Sequence, residues 1–210
     1  MRIHTFPLGP LQTNCYVVAN ELTNEAIIID AGMQPRALLE CAADYQVQAI
    51  LLTHAHFDHM GGLDLIRKKT EAPVYIHANE QEWLTNPDLN GSSRWPMIEG
   101  VMQTDRAEHE LADEQVLSLA GFQIRVLATP GHTPGGVSFL IDDHLFSGDT
   151  LFAHSIGRTD LPGGSYEQLI TSIEEKLMPL APETRVYPGH GSGTTIGFEK
   201  VHNPFINGNN

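Results

Sequence analysis

The stretch Ala49-Ile50-Leu51-Leu52-Thr53-His54-Ala55-His56-Phe57-Asp58-His59 carries two signals in immediate succession. Its first four residues form a continuous apolar run of the kind found in buried strands, and the run stops at Thr53. The six residues that follow supply four side chains able to ligate a metal ion: His54, His56, Asp58 and His59. Residues two apart in an extended chain point the same way, so His54 and His56 can reach one ion. Asp58 and His59, after one further residue, are placed to reach a second. At the His and Asp frequencies of this chain, a chance occurrence of His-x-His-x-Asp-His is on the order of one in several hundred.

A coordination sphere closes only when donors converge from different directions, and three further motifs offer them. Thr129-Pro130-Gly131-His132-Thr133-Pro134-Gly135-Gly136 follows a predicted strand at 123–127, and Ser147-Gly148-Asp149-Thr150 follows a hairpin predicted from strands at 137–141 and 144–146. Tyr187-Pro188-Gly189-His190-Gly191 follows the last predicted strand, 185–187. All share one layout, a strand end and then a ligand beside small residues, which lets the backbone turn tightly and bring the ligand close. Taken singly, Gly131-His132 reads equally well as an ordinary turn and Asp149 as a cap; the combination is what points to metal. His4, His77, His109, His144, His154 and His202 have no partner spacing and read as surface or satisfied core residues.

Around these motifs the pattern predicts short strands at 3–6, 15–19 and 26–29 in a meander, a helix over 36–45 after Pro35, and the strand that ends at Thr53. A helix at 63–69, a strand at 74–76 and a helix at 79–84 should follow. Periodicity is lost over 86–100, where Pro, Gly, Asn and Ser are frequent, so a long loop is expected there. Tyr166, Leu169, Ile170, Ile173 and Leu177 follow helical spacing, which predicts a helix packed on a sheet. Strands in runs, broken by helices, suggest two sheets flanked by helices.

With 210 residues and no linker-like or low-complexity stretch, the chain reads as one domain over 1–210. Its net charge of -14 argues against a protein that tracks a nucleic-acid backbone. Cys15 and Cys41 are too few for a disulfide framework and sit in apolar surroundings, so both read as reduced, buried thiols. Met1 to Pro7 lacks the apolar core of a signal peptide and no apolar run approaches membrane-spanning length, so a cytoplasmic location without membrane association is expected. No Gly-x-Ser-x-Gly elbow and no Gly-Lys-Ser/Thr phosphate loop occurs.

The set His54/His56/Asp58/His59, His132, Asp149 and His190 resembles the metallo-β-lactamase superfamily. Leu52 to His59, Pro130 to Gly135, Ser147 to Phe152 and Ile156 to Asp160 look most like small single-domain hydrolases of the glyoxalase II (hydroxyacylglutathione hydrolase) kind. So do Gly189-His190-Gly191, Thr195-Ile196-Gly197 and Asn203-Pro204-Phe205. The resemblance implies an α/β (α+β) fold, a four-layer αββα sandwich. It implies two divalent ions, with His54, His56 and His132 on the first, Asp58, His59 and His190 on the second, and Asp149 bridging. Zinc is the first choice for these nitrogen and carboxylate donors, and iron or manganese fits them too.

The activity implied is hydrolysis of a small-molecule thioester by a hydroxide that bridges the metals, with Asp58 also orienting the attacking oxygen and Arg158 as a basic substrate contact. Two departures bear on the thiol carrier. Glutathione-using glyoxalase II enzymes add a C-terminal helical domain, which this chain is expected to lack, and Ser192 stands where they place an aromatic residue. Gly157-Arg158-Thr159-Asp160 also resembles the iron-dependent persulfide dioxygenases of the superfamily. The same donors would serve lactone or β-lactam opening, or metal binding without turnover.

Overall fold

The structure, a computed structural model, describes residues 1–95 and 100–206, which fall into two units. The first comprises Met1–Leu111 with Ser118–Phe122, the second Ala112–Leu117 with Gln123–Asn210.

In the first unit, β1 (Arg2–Leu8), β2 (Thr13–Asn20) and β3 (Glu25–Ile29) make the expected antiparallel meander. Helix α1 (Arg36–Ala42) then returns the chain so that β4 (Gln46–Leu51) pairs parallel with β3. After α2 (Phe57–Met60) and α3 (Leu63–Thr70), strands β5 (Val74–His77) and β6 (His109–Leu111) add in parallel and complete a six-stranded mixed sheet. Ile28, Ile50, Val74 and Ile76 from these strands pack with Leu38, Leu63 and Ile66 of α1 and α3. Each such side chain contributes roughly 1.5–3 kcal/mol by leaving water. Helix α3 stops where Glu71 takes a left-handed conformation, and Arg67, Lys68 and Lys69 in its last turn complement the helix dipole.

The region expected as a loop over 86–100 is partly helical. Gln81–Thr85 (α4) and Pro87–Asn90 (α5) are separated by Asn86, whose side chain caps α5 by accepting from Asp88 N, with proline in the first turn. Residues 96–99 of that expected loop lie outside the described residues.

The second sheet has the order β14-β13-β10-β9-β8-β7. Its strands are β7 (Val116–Leu119), β8 (Phe122–Ala128), β9 (Val137–Ile141), β10 (His144–Gly148), β13 (Arg185–Pro188) and β14 (Thr194–Thr195). A separate two-stranded hairpin, β11 (Leu151–Phe152) and β12 (Ser155–Ile156), follows β10. Leu127, Leu145 and Val186 pack with Leu169, Ile173 and Leu177 of the predicted long helix and with Ile196. That helix is α6 (Tyr166–Ser172) passing into a π-helical turn, Ile173–Leu177, and the last element is α7 (Ile196–His202).

Strand direction explains where the ligand motifs fall. In the first sheet β3, β4 and β5 are mutually parallel, so Asp30, the run from Thr53 and the segment leading to Glu80 all leave from the same edge. In the second, β8 and β10 each run antiparallel to β9, and β13 runs parallel to β10. The loops bearing His132, Asp149 and His190 therefore also leave one common edge. Carboxyl ends of strands are the ordinary place for ligands in sheets of this kind.

Gly131 shows how tightly one of these loops is built. It has φ +133°, and a Cβ there would stand 2.3 Å from Leu169 N and 2.4 Å from Leu169 Cα at the start of α6. Its carbonyl also accepts from Ser165 N at 2.8 Å, beside the helix cap. Gly131→Ala is expected to lower the unfolding free energy by roughly 3 kcal/mol through overpacking and backbone strain. A urea midpoint equal to that of the parent protein would refute this account of the turn.

Candidate metal centre

His54 and His56 lie on the extended segment after β4, and Asp58 and His59 in the single turn of α2, whose N-cap is His56. All four are buried. The turn is fixed by groups beneath it. Asp30, buried and in a left-handed conformation (φ 60°), accepts from Thr53 N at 2.8 Å and from Thr53 Oγ1 at 2.9 Å. The same carboxylate lies 2.8 Å from His59 Nδ1. Glu80, also buried, accepts from Ala55 N at 3.0 Å, and Thr13 Oγ1 donates to Asp58 Oδ2 at 2.7 Å. Asp30, Glu80 and Thr13 were not singled out by the sequence, although Asp30-Ala31-Gly32 after the run Ile27-Ile28-Ile29 repeats the layout of the ligand motifs.

In the second unit His132 Nδ1 is 2.7 Å from the Arg158 carbonyl oxygen. The His132 loop is braced by Thr129 N to Gly136 O at 2.8 Å and by Ser172 Oγ donating to Pro130 O at 2.7 Å. Gly189 N donates to Gly148 O at 2.8 Å, which ties the Asp149 loop to the His190 loop.

Three groups of donor atoms each lie within 4.8 Å of one another: His54, His56 and His132; His54, His59 and Asp149; Asp58, His59 and His190. Every ligand expected from the sequence thus falls in at least one group. Asp149 Oδ2 stands 3.5 Å from His132 Nε2 and 3.6 Å from His190 Nε2, and Asp58 Oδ2 stands 3.5 Å from His59 Nε2. These separations exceed a hydrogen bond. They match the ~3.4 Å edge of a tetrahedron whose bonds to a central cation are about 2.1 Å.

The outer ring nitrogens fit the same reading. With Nδ1 of His59 on Asp30, of His132 on the Arg158 carbonyl and of His54 on Thr53 Oγ1 at 3.0 Å, each ring turns Nε2 toward its donor group. An oriented outer N–H is the usual companion of a metal-ligating imidazole. Five imidazoles and two carboxylates in these groups make a candidate dinuclear centre.

The remaining histidines have structural partners. His4 meets Tyr45 Oη, His144 pairs with Asp143, His109 stacks on Tyr75, and His154 and His202 pack on Phe198. His77 Nδ1 accepts from Asn79 N. Cys15 is buried, its sulfur accepting from Gly32 N at 3.0 Å. Burial, and secondly the charge of Asp30, push its thiol well above the ordinary value, so it is an inert thiol beside the centre.

A family model described as Metallo-beta-lactamase superfamily matches residues 8–190. The chain belongs to that superfamily. It is 42% identical over 213 residues to the probable metallo-hydrolase YqgX of Bacillus subtilis, covering 99% of each chain. It is 35% identical over 212 residues to the hydroxyacylglutathione hydrolase GloC of Haemophilus influenzae, again covering 99% of each. Among solved structures, the BLEG-1 B3 metallo-beta-lactamase superposes with a TM-score of 0.93 at 46% identity, covering 99% of this chain and 100% of that one. TTHA1623 in a di-iron-bound form superposes with a TM-score of 0.84 at 39% identity, covering 98% and 100%. These likenesses bear out the expected fold class, the α/β sandwich of the superfamily with mixed sheets and helices. No helix among the described residues is long and apolar enough to cross a membrane.

Arg158 follows the β11–β12 hairpin, and its guanidinium forms two 2.7 Å bonds to Asp160, through Nε and Nη2. The bond from Arg158 is the main cause that holds the Asp160 carboxyl down, from the ordinary 3.8 to about 2. Because the folded value is depressed, any stabilisation from this pair is present above the ordinary carboxylate range and is lost as pH falls toward 2. Arg158→Ala is expected to return the Asp160 midpoint to near 3.8, read from the side-chain carboxyl shift by NMR. A midpoint unmoved by the substitution would show that Arg158 is not the cause.

The buried Asp30 gives a second expectation. Asp30→Asn keeps the shape but replaces one acceptor with a donor facing Thr53 or His59. Affinity for divalent metal should fall 10–100-fold, as is typical when an outer partner of a ligating imidazole is lost. Competition with a chromophoric chelator measures this, and equal affinities would remove Asp30 from the centre.

Proposed function

We propose that the chain is a dinuclear metallohydrolase that cleaves small-molecule thioesters. His54, His56 and His132 would hold one metal and Asp58, His59 and His190 the other, with Asp149 available to both. The observation that carries this reading is the 3.5–3.6 Å spacing of Asp149 Oδ2 from one imidazole of each set. Two divalent ions held there would supply Lewis acidity and bring the pKa of water from ~15.7 to about 7, so that hydroxide is available near neutral pH. Zinc suits the donors, and iron is supported by the di-iron form of TTHA1623.

Asp58 is the catalytic residue of the reading. Thr13 donates to its Oδ2, which fixes the plane of the carboxylate, so that it can orient the attacking oxygen. All seven side chains of the centre serve as ligands, so none of them is left to protonate a departing group. A thiol with pKa about 8.5 leaves as thiolate without such help. That favours a thioester over an alkyl ester, and the likeness to GloC supports it. Arg158 is the basic contact for an anionic carrier; binding there competes with its bonds to Asp160. A free-standing second reading is β-lactam opening by the same hydroxide, favoured by the 46% identity with BLEG-1.

Purified protein with its metals quantified should hydrolyse S-lactoylglutathione or another thioester faster than a β-lactam; the reverse order would replace the first reading with the second. Asp58→Ala should lower kcat/KM by about 10²-fold or more, the scale lost when a reacting group is misplaced, with partial loss of one metal. Unchanged turnover at unchanged metal content would remove both roles of Asp58.

A further inference from the structure

Hairpin β11–β12 has only two residues in each strand, too few to hold itself in place. It nevertheless occupies a sensitive position. Upstream it follows Asp149 and Thr150; downstream it delivers Gly157 and Arg158, whose carbonyl oxygen meets His132 Nδ1 at 2.7 Å. A Cβ at Gly157 would stand 1.8 Å from the Asp149 carbonyl oxygen, so the two segments are in close contact. A shift of a few tenths of an ångström in the hairpin would move the acceptor that orients His132.

The groups that hold the hairpin come from α7 and its C-cap, Asn203. Glu199 is buried, with Oε2 accepting from His154 N at 2.9 Å and from Asn203 Nδ2 at 2.8 Å. Its Oε1 accepts from Thr194 Oγ1 at 2.6 Å. Asn203, also buried, donates through the same Nδ2 to Ser155 O at 3.0 Å. The tip of the hairpin is thereby bonded at two successive backbone positions, the His154 N–H and the Ser155 carbonyl. His154 itself is in a left-handed conformation (φ 59°), a geometry that costs energy in a non-glycine residue and persists where surrounding contacts enforce it.

The geometry points to Glu199, with Asn203, as the positioning residue of the His132 metal site. Its buried carboxylate fixes the hairpin tip, the hairpin fixes the Arg158 carbonyl, and that carbonyl fixes the Nδ1–H tautomer of His132 and turns Nε2 toward the donor group. The inference rests on metal binding at His132 and not on the choice of substrate.

Zn²⁺ affinity of the full chain, measured by chelator competition, tests it without any activity assay. Glu199→Gln keeps the volume but turns one acceptor into a donor facing donors. It should retain the metal-free fold by far-UV circular dichroism while losing 10–100-fold in Zn²⁺ affinity, the scale known for outer partners of ligating histidines. Asn203→Ala, which leaves Glu199 in place and removes the Ser155 contact, should show a smaller fall. The decisive comparison is made on a His132→Ala background, where Glu199→Gln should cost little further affinity because the route through the Arg158 carbonyl is already cut. A full fall on that background marks a general structural effect and overturns the proposal, as does wild-type affinity in a folded Glu199→Gln chain. Zn²⁺ uptake without thioester cleavage would sink the functional reading alone, and a wild-type chain that takes up no Zn²⁺ would overturn both.

Discussion

The carboxylate of Asp30 gathers three donors from the segment that carries the ligands. Thr53 N–H, Thr53 Oγ1–H and His59 Nδ1–H all reach it in a setting closed to water. A buried donor left without an acceptor costs roughly 1–3 kcal/mol, so the segment from Thr53 to His59 can hold its course only with this carboxylate beneath it. The strand end, the two imidazoles of the extended segment and the turn of α2 follow from that constraint. Asp30 pays for the arrangement with a left-handed backbone, the kind of local strain that collects at functional positions.

The second unit reaches the same end by a different device. His132 Nδ1 meets a backbone carbonyl, and a carbonyl is only as well placed as the chain that carries it. The buried Glu199 stands two steps back, at the tip of a hairpin too short to define itself. In both units the donor that would meet a cation sits in front, and the group that aims it is a buried acid behind. Such outer partners set ligand orientation and basicity as much as the ligands do.

Ligand identity and substrate identity separate cleanly in this arrangement. The seven donors would serve ester, thioester and lactam opening alike, because metals held there would supply the same Lewis acidity to each. Under the proposed function, selectivity would fall to groups off the metals, such as the exposed Arg158–Asp160 pair and Ser192, two residues after His190. An arginine already bonded to a carboxylate offers an anionic substrate an exchange of partners, so its pairing weakens any grip it could exert.

The sequence by itself determined the donors and the strands that carry them. Donor chemistry is written in side-chain type and spacing, and His54, His56, Asp58, His59, His132, Asp149 and His190 were legible because four motifs of the same layout, each ambiguous or weaker alone, together have few other uses. Strands rich in Ile and Val were legible because burial on both faces leaves a continuous apolar run, as in Ile27 to Ile29 and Ile50 to Leu52. Only the tertiary structure decided which acids are buried behind the ligands. Glu80 and Glu199 look in sequence like any of the chain's 26 acidic residues, and the motif-like setting of Asp30 does not say that it stands behind the ligands, since an acid's burial depends on neighbours distant along the chain. The same holds for β11, β12 and β14, whose two residues are too short to show a period, and for α5, which forms where Asn86 and Pro87 supply a cap that periodicity cannot register.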